Sequence, residues 1–187
     1  GLGLFFKEIV QSRRFVGAAA PSGPILGKAM ASKVPKLDEG EVVVELGAGT
    51  GAITRQLLKS GLEGHQLVSV ERSNAMSEHL RKTFPELTVL EGDACELRVL
   101  LKQHLGLGVD AVASIVSGLP LRSLPGPVVD AIVSEVYQTL SPGGRFIQFT
   151  YDIRPRANPV LSAFRRKETR VIWANFPPAR VDVYQRV

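Results

Sequence analysis

Between residues 42 and 151 the chain alternates short apolar, β-branched runs with longer stretches whose apolar positions recur every three or four residues. That alternation predicts a parallel sheet with crossover helices. Val42–Leu46 reads as a buried strand, residues 47–51 as a tight turn, and residues 52–60 as a helix. A second strand follows at 67–70, then a helix over 74–83 that must stop near Pro85, because the residue before a proline disfavours helical dihedrals. The third strand is read at 87–90, a helix at 96–105, the fourth strand at 110–116, a helix at 128–140 and the fifth strand at Arg145–Thr150. Two further β-branched or aromatic runs, 169–174 and 181–185, are joined through Phe176-Pro177-Pro178-Ala179 and predict an antiparallel pair that closes the sheet, with Trp173 as a sheet residue. Ahead of the sheet, residues 2–16 form an amphipathic basic segment when placed on a helical wheel. Leu2, Phe5, Phe6, Ile9 and Val10 share one side, Lys7, Gln11 and Arg14 the other, and Leu4 breaks the pattern.

At 187 residues the chain fits one domain, organised as N-terminal helices over 1–36 and an α/β body over 37–187. A hydrophobic share of 44% and a charged share of 22% exclude wholesale disorder and a long coiled coil. One cysteine excludes an internal disulfide framework and a cysteine-cluster zinc site, and points to a reducing compartment; no metal is expected. No apolar run reaches the roughly 18–20 residues of a membrane span, and the N-terminus lacks the regions of a signal peptide.

The net charge of +5 is unevenly distributed: residues 1–36 carry +5, residues 37–149 carry −5 and residues 150–187 carry +5. If the fold brings the two ends together, they form a basic surface suited to the phosphates of nucleic acid or anionic lipid.

The sharpest local signal is Glu45-Leu46-Gly47-Ala48-Gly49-Thr50-Gly51 between a strand and a helix. Glycines permit dihedrals closed to other residues and let a ligand approach the main chain, as a nucleotide-type cofactor requires. Gly47, Gly49 and Ala52 also satisfy the dinucleotide pattern G-x-G-x-x-G/A, so this loop alone leaves NAD open. Glu71 closes the second strand twenty residues after Gly51, where a carboxylate can accept both ribose hydroxyls. Asp93, in Glu91-Gly92-Asp93-Ala94, follows the third strand and is placed to accept from an adenine amino group. That third acid, with Glu45 before the glycines, resembles the class I S-adenosylmethionine-dependent methyltransferases. The expected fold is therefore a Rossmann-like, mostly parallel seven-stranded sheet with a C-terminal antiparallel pair and an N-terminal helical extension. The cofactor set is Glu45, Gly47, Gly49, Gly51, Glu71, Asp93 and Ala94, and the cofactor S-adenosyl-L-methionine.

The end of the fourth strand carries the acceptor chemistry. Methyltransferases acting on exocyclic base amines typically place Asn/Asp/Ser-Pro-Pro-aromatic there, whereas this chain has Ser117-Gly118-Leu119-Pro120-Leu121, with no ring to stack on a base. A hydroxyl and backbone carbonyls remain, which suits an aliphatic amine. The chain resembles the small bacterial phospholipid N-methyltransferases, which methylate phosphatidylethanolamine stepwise towards phosphatidylcholine. The resemblance rests on Val16-Gly17-Ala18-Ala19-Ala20-Pro21-Ser22, the glycine loop, Ser117-Gly118-Leu119-Pro120-Leu121, Phe149-Thr150-Tyr151 and Asn175-Phe176-Pro177-Pro178-Ala179-Arg180-Val181. The Ser-Gly-Leu-Pro element also departs little from the rRNA adenine dimethylase pattern.

The resemblance implies a peripheral enzyme on the inner face of the cytoplasmic membrane, with the N-terminal helix associating with lipid and covering the cofactor. A basic amphipathic helix at an anionic surface meets that need without a span. The catalytic candidates are Ser117, Gly118, Leu119, Pro120 and Tyr151, the last orienting the amine through its hydroxyl or ring face. Arg154, Arg156 and Arg180 are the candidates for the lipid phosphate. His65, His79 and His104 are read as solvated, and Cys95 as a small apolar filler. The partners expected are a phospholipid substrate and an anionic membrane surface, with no nucleic acid, and the chain is expected to be a monomer. Two alternatives stay open at this point: an rRNA-type adenine amine methyltransferase and a cofactor-binding regulatory domain without catalysis.

Overall fold

The computed structural model describes residues 23–106, 111–156 and 158–187. The amphipathic segment and the residue 16–22 motif lie outside the described residues. Seven strands form one sheet in the order β3-β2-β1-β4-β5-β7-β6, built from β1 Val42–Leu46, β2 Leu67–Glu71, β3 Thr88–Glu91, β4 Val112–Ser117, β5 Arg145–Thr150, β6 Phe164–Ile172 and β7 Ala179–Arg186. β1 through β5 run parallel, and β7 lies antiparallel between β5 and β6. Among the described residues, five α-helices cover the sheet: α1 Pro24–Ala31, α2 Ala52–Lys59, α3 Asn74–Thr83, α4 Leu97–Leu105 and α5 Gly126–Thr139.

Alternation along the strands explains why the sheet is covered on both faces. In β1 every residue is buried. Val43 joins Leu26 and Met30 of α1, Ile53 and Leu57 of α2 and Leu80 of α3 in one core. Val42, Val44 and Leu46 join Leu97 and Leu101 of α4 and Val129, Ile132 and Val136 of α5 in the other. A strand buried at every position, apolar here except for Glu45, is the expected signature of a parallel sheet with helices on both sides. Ser73 caps α3 by accepting from the Met76 N–H, and Gly106, in the left-handed region at φ 63°, ends α4.

Two elements differ from the pattern reading. β6 begins at Phe164, five residues earlier than its β-branched run, because an edge strand has no second neighbour and carries exposed charge from Arg165 to Arg170. Trp173 is not a sheet residue: β6 ends at Ile172, and the indole stands exposed in the turn that follows. His65, His79 and His104 are exposed, as read.

Candidate active site

Strand order reverses between β1 and β4, so the chain leaves these neighbouring strands in opposite directions and opens a crevice at their carboxyl ends. The glycine loop occupies the β1 side. Gly47, Gly49 and Gly51 have φ of 67°, 55° and 78°, which only glycine adopts without strain. A Cβ on Gly47 would lie 2.5 Å from Leu119 Cδ2, so this position also needs an absent side chain for packing. A Cβ on Gly49 would meet nothing within 4 Å: the loop faces open space there, the cradle a nucleotide-type ligand needs.

The three acids differ in what they do. Glu71 accepts from the Gly49 N–H at 2.9 Å and the Ser73 N–H at 2.8 Å, one on each carboxylate oxygen. It thus ties the loop to the start of α3 while each oxygen keeps a lone pair for a ribose hydroxyl. Asp93 accepts from the Cys95 N–H at 2.9 Å and stands 3.6 Å from the Arg72 guanidinium, beside the buried Ala94. Arg72 escaped the sequence reading, although it directly follows Glu71. Glu45 is fully buried beneath the loop, accepting from Thr54 Oγ1 at 2.6 Å and Ser69 Oγ at 2.8 Å, while its other oxygen has no partner. Burial pushes its carboxyl up to about 7. It supports the loop from below and offers no exposed atom to a cofactor. Apart from Glu45, the residues present fit S-adenosylmethionine: open backbone at Gly49, a carboxylate at Glu71 and another at Asp93.

On the other side of the crevice lies a cleft of about 240 Å³ lined by Pro120, Arg122, Gln148, Tyr151, Asp152 and Arg180, with Asn158, Asp182 and Tyr184 among its other walls. Ser117, Gly118 and Leu119 do not line it. The Ser117 hydroxyl is turned into its own loop, accepting from the Leu119 N–H at 3.2 Å. Gly118 donates to the Leu46 carbonyl at 2.8 Å, and a Cβ there would lie 2.7 Å from the Gly47 carbonyl. The Ser117 hydroxyl and the Gly118 N–H therefore join the β4 exit to its own loop and to the end of β1. Tyr151 does face the cleft: it is 42% exposed and rests edge-on against Phe149 at 5.5 Å.

The three arginines separate. Arg180 is buried, donating from Nε and Nη2 to Asp182 Oδ2 at 3.0 and 2.8 Å and from Nη2 to the Arg156 carbonyl at 3.2 Å, while Nη1 has no partner. It is not the free cation that charge alone suggested; the Arg-x-Asp spacing, which puts both side chains on one face of a strand, was the available signal. Arg154 is an exposed rim residue whose fork grips Asp152 at 2.7 and 3.0 Å, and Arg122 reaches the same carboxylate at 3.0 Å. The Arg154 hydrogen bond, with both guanidinium charges, holds Asp152 well below the usual carboxylate range. Arg156 is exposed at the rim. Burial raises the Tyr184 phenol to about 12, so it remains a hydrogen-bond donor in the wall.

Gln148 was missed entirely, because one polar residue inside Phe146-Ile147-Gln148-Phe149 reads as ordinary strand alternation. It sits level with Ser117 of β4 and Asp182 of β7. Its amide nitrogen donates to the carbonyls of Leu119 at 2.9 Å and Phe149 at 2.8 Å, which orients the group and leaves the buried oxygen Oε1 without a partner. A buried acceptor left unmade costs about 1–3 kcal/mol.

Among the described residues no helix is long and apolar enough to cross a membrane, and no group of three or more His, Cys, Asp or Glu side chains could hold a metal ion. Residues 43–144 match a methyltransferase-domain family. The chain is 34% identical to the ornithine lipid N-methyltransferase of Singulisphaera acidiphila, over 80% of this chain and 75% of that protein. It is 29% identical to the ribosomal RNA small subunit methyltransferase A of Phenylobacterium zucineum, over 83% of this chain but 64% of that one. Its fold is similar to a TehB-like methyltransferase from Corynebacterium glutamicum, with a TM-score of 0.64 and 14% identity over the full length of both. With the glycine cradle and the acids at successive strand ends already in place, the matched residues settle the assignment: the chain belongs to the class I S-adenosylmethionine-dependent methyltransferases.

Proposed function

We propose that this methyltransferase acts on the headgroup amine of a membrane lipid, phosphatidylethanolamine and its partly methylated forms being the substrates expected, towards phosphatidylcholine. The observation that carries the reading is Gln148 Oε1, a buried and pre-oriented acceptor with no donor in the wall of the cleft beside the β4 exit. A small opening of the wall, which now covers Oε1, lets an amine N–H satisfy that acceptor. The bound cofactor supplies an electrophilic sulfonium methyl. Gln148 then aims the nitrogen lone pair along the line of attack, which converts binding into orientation. Tyr151, at the mouth, offers a ring face to a cationic headgroup. Arg154 and Arg156 at the rim, and Arg180 Nη1 in the wall, supply positive charge for the headgroup anion. The amine must be neutral to react, and burial against the apolar parts of the cleft lowers its affinity for a proton. The lipid reading is supported by the relative that methylates an ornithine lipid, and by Leu121, buried where a base-stacking ring would stand.

A second reading, methylation of an rRNA base amine, is favoured by the ribosomal RNA methyltransferase among the relatives. Labelled S-adenosylmethionine, incubated with the protein and either vesicles containing phosphatidylethanolamine, vesicles containing ornithine lipid, or ribosomal RNA, separates the two. Label is expected in phosphatidylethanolamine. Label in RNA alone overturns the lipid reading, and label in ornithine lipid alone replaces the proposed headgroup.

A further inference from the structure

The turn between β6 and β7 presents its apolar residues where water-facing turns are normally polar. Trp173 is 69% and Phe176 87% exposed, followed by Pro177 and Pro178. The turn is firmly held: buried Asn175 donates from its side chain to the Pro177 carbonyl at 2.7 Å and from its backbone N–H to the Ile172 carbonyl at 3.2 Å. Register fixes where it points. Thr150 pairs with Arg180 and Ile172 with Ala179, so the turn lies at the carboxyl end of β5, the end that bears Tyr151 and the cleft. The first turn of α1 reaches the same place, since a Cβ on Gly23 would lie 2.9 Å from Asn175 Oδ1, and Ile25 there is 48% exposed. Of six large apolar side chains exposed among the described residues, four (Ile25, Tyr151, Trp173 and Phe176) thus gather at one end of the sheet.

Basic residues run along the edge strand towards this end. β6 exposes Arg170 two residues before its last, beside the turn, and Arg165, Arg166 and Lys167 further back towards the opposite end of the sheet, while its one acid, Glu168, pairs with Lys33 at 2.5 Å. Arg154 and Arg156 continue the positive charge to the cleft rim. Amphipathic rings at a rigid tip, backed by cations, suit the boundary between lipid headgroups and acyl chains.

We propose that the β6–β7 turn is a membrane-docking tip, in which Trp173 and Phe176 enter an anionic lipid surface while Arg170, near the end of β6, and Arg156, at the cleft rim, meet its headgroups, so that the cleft opens at the interface. This rests on the lipid-amine reading and adds to it a second stretch of the chain, Trp173–Pro178, beyond residues 1–16.

Trp173 is the chain's one tryptophan, so its fluorescence reports the tip directly. The full chain is titrated with vesicles of phosphatidylglycerol and phosphatidylcholine, which hold no methylatable amine and so separate docking from catalysis. A blue shift, quenching by lipids brominated in the acyl chain, and weakening by salt are expected. The Trp173→Ala/Phe176→Ala variant should lose about tenfold or more in vesicle affinity, measured by sedimentation. It should keep wild-type methylation of a short-chain, monomeric amine lipid. Co-sedimentation of the full chain without any change in Trp173 emission overturns the tip. So does emission already shifted blue without vesicles that turns red on deleting residues 1–22, or a dimer that buries Trp173 and ignores vesicles. Failure to methylate any amine lipid, with the blue shift present, removes the substrate reading and leaves the docking tip standing.

Discussion

The two halves of the crevice are built by different means. The cofactor half, at the ends of β1 to β3, is made of backbone and short acids within a few residues of each strand end: Gly47, Gly49, Glu71 and Asp93. The acceptor half, at the ends of β4, β5 and β7, is made of side chains that only register brings together, with Gln148 level with Asp182 and Thr150 with Arg180. Local backbone chemistry can be read from a string of residues; a constellation assembled by an antiparallel return cannot. On the proposed reading, one half binds the cofactor that the class shares, and the other meets the acceptor.

The comparison breaks most sharply at the glycines. Gly47→Val combines a left-handed backbone with a side chain driven into Leu119, and should abolish cofactor binding, with a stability loss of about 3–4 kcal/mol, measured by urea denaturation. Gly49→Ala, whose Cβ meets nothing within 4 Å, should cost only about 1–2 kcal/mol of stability yet still weaken the cofactor in calorimetric titration. Equal stability losses in the two would mean the open space at Gly49 is filled by the protein itself.

Glu45 tests whether the cofactor half stores a buried charge. Its carboxyl lies at about 7 in the folded chain against an ordinary 4.5, so between these values the native state keeps a proton that the unfolded chain has released. Stability should therefore fall as pH rises through this window, by on the order of 3 kcal/mol, and the penalty should be complete above it. Glu45→Gln should remove that slope, comparing denaturation midpoints at pH 5 and pH 8; an unchanged slope would assign it elsewhere.

In the acceptor half, Gln148→Met keeps bulk and removes the acceptor. Turnover should drop on the order of 10²-fold, the size of a lost positioning contact. Cofactor affinity should stay within about twofold, since the Gln148 amide bonds to Leu119 and Phe149 and makes no hydrogen bond to the glycine loop among the described residues. A matching loss of cofactor affinity would erase the boundary between the halves. The smallest effect is at Tyr151, whose hydroxyl has no hydrogen-bond partner among the described residues. Tyr151→Phe should be near normal, and Tyr151→Ala should weaken acceptor binding by about 1 kcal/mol through loss of the ring, read as KM for phosphatidylethanolamine vesicles.

The contrast also explains what was legible beforehand. The strands, their parallel order and the glycine loop follow from apolar runs and from glycine itself. In the serine-glycine-leucine-proline segment the Ser117 hydroxyl and the Gly118 N–H bond to the chain and Pro120 lines the cleft, and Gly118 is required because the Gly47 carbonyl leaves no room for a Cβ, a contact that no reading of the string shows. Arg180 looked like a free cation because a charge count is blind to Asp182 two residues on, which pairs with it and leaves only Nη1 without a partner. β6 was read short, and Trp173 placed within it, because an edge strand's charges hide its periodicity.

Leu119 belongs to both halves at once. Its side chain fills the space above Gly47, and its carbonyl holds the Gln148 amide. A cofactor that presses on the glycine loop therefore presses on the residue that aims the amine acceptor. Thermodynamic linkage makes such an effect mutual: any gain in acceptor affinity caused by a loaded loop must return as an equal gain in cofactor affinity when the cleft is full. Calorimetric titration of the demethylated cofactor with the cleft empty and filled should accordingly show the same ratio of affinities as titration of the acceptor with the loop empty and loaded.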